Sequence, residues 1–232
     1  MSLQTDDLIP FTVHFSKRRR SVALQIRQGE LIVRAPHGFC RMHIKQLVEQ
    51  KRPWIKRHLA KTQQQPKTDW LSELSLPLQE QTLSLRIGRA SKSGVVQVGD
   101  MLMLTISTRV SEARFSLVLK QQVISWYQRY AQGWFEQCVN RRQQDMQLYP
   151  TAVRIGNWRS RWGYCKQTGE VGFNWRLMMA PAWIAEYVVV HELAHLKYMN
   201  HADAFWQLVQ QHAPDYKAAQ RWLSDNAYWM EL

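Results

Sequence analysis

Apolar and polar positions alternate with changing period along the chain, and each change marks an element. Val22, Leu24 and Ile26 alternate with Ala23, Gln25 and Arg27, the period of two expected of a half-buried strand. Gln28-Gly29-Glu30 has turn chemistry, and Leu31 to Ala35 returns as the hairpin partner before Pro36 and Gly38 break it. Across residues 41–63 the period lengthens. Ile44, Leu47, Val48, Ile55 and Leu59 fall near one helical face, with Pro53 either kinking the helix or opening a second one. The polar segment 63–68 reads as a linker. Strands are expected over 82–87, 95–98 and 102–106, separated by Gly88, Gly94 and Gly99.

Residues 112–145 carry the longest helical stripe, through Phe115, Leu119, Val123, Tyr127, Tyr130, Trp134 and Cys138. A stripe of that kind is core. After Pro150, strands are expected over 152–155 and 161–165, then a turn at 166–170. Val171, Phe173, Trp175 and Leu177 alternate with Gly172, Asn174 and Arg176, another half-buried strand. Pro181 sits where helices start, and helices follow over 182–197, 202–212 and 215–225. The class is α+β. A β-rich N-terminal portion (1–110, with a helix near 41–63) is expected to pack on a helical core (111–232) that carries a small antiparallel sheet.

Composition fits a globular chain of 232 residues, with 45% hydrophobic and 21% charged positions. Cys40, Cys138 and Cys165 are odd in number and unpaired in spacing, which argues against a disulfide framework and for a reducing compartment. MSLQTDDLIP lacks the basic and apolar regions of a secretory signal, and no run approaches the roughly 20 apolar residues of a membrane span. A cytoplasmic protein with no membrane partner is the expectation. The net charge of +13 is uneven: residues 1–70 hold 14 Lys/Arg against 5 Asp/Glu. That basic third is either a solvated face or a footprint for nucleic acid or an acidic partner.

The chemistry concentrates at His191-Glu192-Leu193-Ala194-His195. Residues four apart on a helix share a face, so two imidazoles can reach one zinc ion at about 2.0–2.1 Å. Glu192 follows the first histidine and can address a water instead of the metal. A catalytic zinc needs a third protein ligand. On an uninterrupted helix His201 would lie roughly 240° round from His195. The helix must therefore end between them, and Met199-Asn200 can end it through a left-handed asparagine. Asp203 is the competing third ligand, or a group that orients a histidine.

The run Tyr187-Val188-Val189-Val190-His191-Glu192-Leu193-Ala194-His195-Leu196, with Asn200-His201 and Phe205-Trp206 behind it, resembles the YgjP-like metallopeptidase family, a branch of the zincins. Ser160 to Cys165, Asn174-Trp175-Arg176-Leu177, Lys17 to Ser21, Val33 to Pro36 and Trp54-Ile55 resemble it too. The likeness spans about residues 17–229, so one continuous domain is the alternative division. It implies a zincin-like core, one Zn²⁺ per chain on His191, His195 and His201, and Glu192 as the catalytic acid/base. It also suggests kinship with the SprT and WLM metalloproteases. The family pattern has serine where Tyr164 and Lys166 stand here, and residues 68–100 match it poorly.

The expected activity is zinc-dependent hydrolysis of an amide bond in a peptide or protein substrate. Tyr198 and Arg161 are candidates to contact the oxyanion or the substrate, and the strand 171–177 is the candidate to pair with the substrate backbone. Two other classes stay open. One is a nucleic-acid-associated adaptor acting through the basic third; the other is a zinc hydrolase of a non-peptide bond.

Overall fold

Leu31, Val33 and Ala35 are buried at alternate positions of β3 (Glu30–Pro36), as a period of two requires. The computed structural model to which β3 belongs describes residues 9–27, 29–64, 70–226 and 230. Contacts divide the chain into two units, Met1–Thr68 and Asp69–Leu232.

In the first unit β3 is central. β2 (Ala23–Arg27) pairs with it antiparallel, and β1 (Phe11–Ser16) pairs parallel on its other side. α1 (Arg41–Gln50) and α2 (Arg52–Gln64) add Ile44, Val48 and Ile55 to the same core. The chain breaks at Lys51, and Pro53 takes the first turn of α2, where a missing N–H costs nothing. The expected linker lies partly in α2, and its residues 65–68 fall outside the described residues.

The second unit contains β4 (Ser75–Leu78), β5 (Gln81–Ala90), β6 (Gly94–Val98) and β7 (Met101–Ser107), in the order β4-β5-β7-β6. Leu83, Leu85, Leu102, Leu104 and Ile106 share one core with the long helix α3 (Glu112–Met146). The sequence-based division groups these strands with the N-terminal portion; their apolar face puts them in the second unit. Along α3 the expected stripe holds, with Leu119, Val123, Tyr127 and Cys138 buried, but Trp126, Ala131, Phe135 and Val139 widen it.

The wider stripe lets α3 serve a second sheet. β8 (Ala152–Gly156), β9 (Gly163–Cys165) and β10 (Glu170–Asn174) form it in the order β8-β10-β9. Phe135 of α3 stacks on Phe173 of β10 at 4.5 Å between centroids. Tyr127 stacks on Trp175 at 5.2 Å, and its hydroxyl donates to the Pro77 carbonyl of β4. The small sheet is mixed, since β8 runs parallel to β10.

Two expectations about residues 171–177 change. The strand is buried on both faces, and it stops at Asn174. Trp175–Met179 is a 3₁₀ turn instead, because the Asn174 side chain accepts from the Arg176 N–H and caps it. After that turn comes α4 (Ala182–Ala194), whose Ile184, Ala185, Tyr187, Val188, Val189, Val190, Leu193 and Ala194 are all buried. An all-round apolar helix is a core element, and packing overrides the modest helix propensity of its three valines. Glu80 accepts the first free N–H of α4, from Ala182, at 2.8 Å. α5 (Asp203–His212) and α6 (Tyr216–Asn226) complete the unit. Among the described residues no helix is long and apolar enough to cross a membrane.

Candidate metal centre

His191 lies in the last turn of α4 and His195 caps it. The helix ends earlier than the sequence suggests, and without a left-handed residue at Asn200. Leu196 N–H donates to the Leu193 carbonyl and Lys197 N–H to that of Ala194, two i→i+3 bonds that tighten the final turn, while Tyr198 N–H also donates to Ala194. The chain then reverses and brings His201 back. Ring nitrogens of His191, His195 and His201 all lie within 4.8 Å of one another.

The donors suit a metal ion. Nδ1 of His195 donates to the Tyr198 carbonyl at 2.9 Å, which fixes the tautomer and leaves Nε2 as a lone pair. Nε2 of His201 and Nε2 of His191 face each other at 3.2 Å. Two nitrogens bound tetrahedrally at zinc distances would be separated by about 3.3 Å. Burial holds His191 down to about 3, with repulsion from His195 and His201 adding to it. Burial also lowers His195. Both rings are therefore neutral at pH 7, the form that binds metal. Phe205 is fully buried and touches all three imidazoles, at 5.0, 4.6 and 4.7 Å between centroids. Trp206 stacks on His201 at 5.4 Å.

Glu192 is 6% exposed. Burial pushes its carboxyl up to about 8, and the nearby Arg161 charge pulls it back in part. The carboxylate rests against Gly163 of β9: a Cβ there would meet Oε1 at 2.6 Å. Sequence reasoning missed Gly163, because its partner is 29 positions away and no local pattern marks it.

Asp203 opens α5, is exposed and stays outside the histidine cluster. Tyr198 engages His195 through its backbone carbonyl, while its ring packs partly on the core under Lys197. Arg161 sits on the loop before β9, its charge felt at Glu192. The strand expected to meet substrate, 171–177, cannot do so along its β part: β10 is central, paired on both sides. β9 is an edge of that sheet and carries Gly163. Tyr164 and Lys166, the two departures from the family pattern, act together, since both bind Glu170 Oε1, at 2.6 and 2.7 Å.

A sequence profile of the family described as YgjP-like, metallopeptidase domain matches residues 20–226. Among solved structures, the crystal structure of the metallopeptidase zymogen of Pyrococcus abyssi abylysin is similar at 19% identity. The match covers 40% of this chain and 94% of that one with a TM-score of 0.35. No curated protein matches.

Proposed function

The chain belongs to the YgjP-like metallopeptidase family, and from that membership we propose that it hydrolyses peptide bonds with one zinc ion held by His191, His195 and His201. The convergence of three imidazoles beside a buried glutamate is the observation that carries this reading. When bound, zinc supplies Lewis acidity, acidifies a water and adds positive charge that favours the carboxylate form of Glu192. Glu192 accepts the proton of the attacking water and returns it to the leaving nitrogen. Phe205 closes the apolar side of the cluster and keeps water from it. As an edge strand, β9 offers main-chain groups to an extended substrate. Arg161 and Tyr198 are the candidates to stabilise the oxyanion.

The test is Glu192→Gln in the zinc-supplied protein, assayed on denatured protein substrates. Turnover should fall by about 10²–10⁴-fold, the worth of a general base, with zinc content unchanged. Equal turnover in the variant would remove Glu192 from the chemistry. The basic balance of residues 1–70 supports a second reading, in which that region recruits an acidic partner or nucleic acid to the peptidase in the cytoplasm.

A further inference from the structure

Each histidine of α4 turns one ring nitrogen to the cluster, and the other needs a partner within the protein. On His195 the division is plain: the Tyr198 carbonyl takes Nδ1 at 2.9 Å, and Nε2 is left for a metal. On His191, Nε2 faces Nε2 of His201 at 3.2 Å, so Nδ1 is again the nitrogen left over. Among the described residues that Nδ1 has one polar partner, the hydroxyl of Tyr187 at 3.5 Å.

The sequence brings these two side chains together. Tyr187 precedes His191 by four residues on α4, so both lie on one face, a turn apart. Their rings meet edge to face, with centroids 5.9 Å apart and an angle of 65° between planes. Tyr187 is 6% exposed. Burial pushes its phenol up to about 12, against the pull of a hydrogen bond from the Gln220 side chain, so the group is a neutral hydroxyl at pH 7. A neutral hydroxyl oxygen accepts a hydrogen bond from an imidazole N–H.

We infer that Tyr187 is a positioning residue of the metal site: its hydroxyl accepts the Nδ1–H of His191, holds the ring's rotation and tautomer, and keeps Nε2 as the lone pair that meets the metal. The inference rests on the three-histidine zinc reading. Tyr187 touches neither metal nor substrate and acts only through His191. The two histidines of α4 are therefore held by different means. His195 leans on a backbone carbonyl of the turn that ends the helix, which no side-chain substitution removes. His191 leans on a single side chain, which a substitution can remove. Loss of such a partner typically lowers metal affinity by roughly 10- to 100-fold, and the 3.5 Å separation places the expected effect near the lower end.

The test compares full-length wild type with Tyr187→Phe, which deletes the hydroxyl and keeps the ring in its packing. Zinc affinity is read by competition with a chromogenic chelator, and the histidine Nδ1–H protons by NMR of the zinc-loaded proteins. Tyr187→Phe should raise the zinc Kd about 10-fold. The Nδ1–H proton of His191 should move upfield as its acceptor is lost, while that of His195 stays in place. Equal zinc affinity in the two proteins would overturn the inference and leave the zinc site standing. A raised Kd with the His191 proton unmoved would overturn it too, because the loss would then be one of packing. A wild type that binds no zinc would remove the zinc reading and this inference with it.

Discussion

A Cβ added at Gly163 would sit 2.6 Å from Oε1 of Glu192 and 2.7 Å from its Cγ, so Gly163→Ala must displace the carboxylate. A misplacement of about 1 Å at a catalytic group costs on the order of 10²-fold. Gly163→Ala is expected to lose about that much turnover while keeping its zinc, with metal analysis beside the assay separating the two effects. Thiol chemistry offers an independent residue-scale check. Cys40 is exposed, and the backbone N–H groups of His43 and Met42 lower its thiol. Burial pushes Cys165 and Cys138 up to about 11, and Cys138 is fully buried. The thiolate is the nucleophile, so a lowered thiol reacts at lower pH and a raised one at higher pH. At pH 8 iodoacetamide should label Cys40 first and leave Cys138 untouched until the protein unfolds, as read by peptide mass spectrometry. Early labelling of Cys138 would contradict the packing of α3.

At the scale of elements, local periodicity was informative wherever one face alone is buried. Leu102, Leu104 and Ile106 alternate with exposed Met101 and Met103, and the strand is legible from that alone. β4 was not foreseen: Pro77 reads as a breaker, yet β4 is an edge strand, where a missing N–H is tolerated. Trp175 and Leu177 continue the strand alternation on paper, but the Asn174 cap turns them into a 3₁₀ element. The histidine pair was legible because both rings belong to one helix end. The return of His201 was legible only as a requirement for the chain to turn, and the turn is made by tightened backbone bonds that no side chain announces. Where two elements meet, only the structure speaks. Phe135 of α3 stacks on Phe173 of β10 with both rings fully buried, joining the long helix to the sheet behind Glu192. Phe135→Ala should cost about 3–5 kcal/mol by denaturant unfolding. A loss under about 1 kcal/mol would mean that this contact does not hold the sheet.

For the molecule as a whole, charge and chemistry are unequally distributed. The basic balance lies in residues 1–70, while His191, Glu192, His195 and His201 lie in the unit Asp69–Leu232. If the basic region recruits an acidic partner, heparin or nucleic acid should bind with a steep salt dependence, weakening strongly between 50 and about 200 mM salt. Glu192→Gln should bind equally well, and salt-insensitive binding would leave the basic region as a solvated surface. The α+β class follows from the alternation of periods along the sequence. The boundary between units does not, because the strands of 75–107 join α3 through long-range packing. The central claim is that three histidines hold one zinc. Metal analysis of the zinc-supplied, dialysed full-length protein tests it most directly, with His201→Ala and Asp203→Ala measured beside the wild type. The account predicts about one zinc per chain in the wild type and in Asp203→Ala, and loss or clear weakening in His201→Ala. A wild type that binds no metal, or a His201→Ala protein that keeps it while Asp203→Ala does not, would contradict the account.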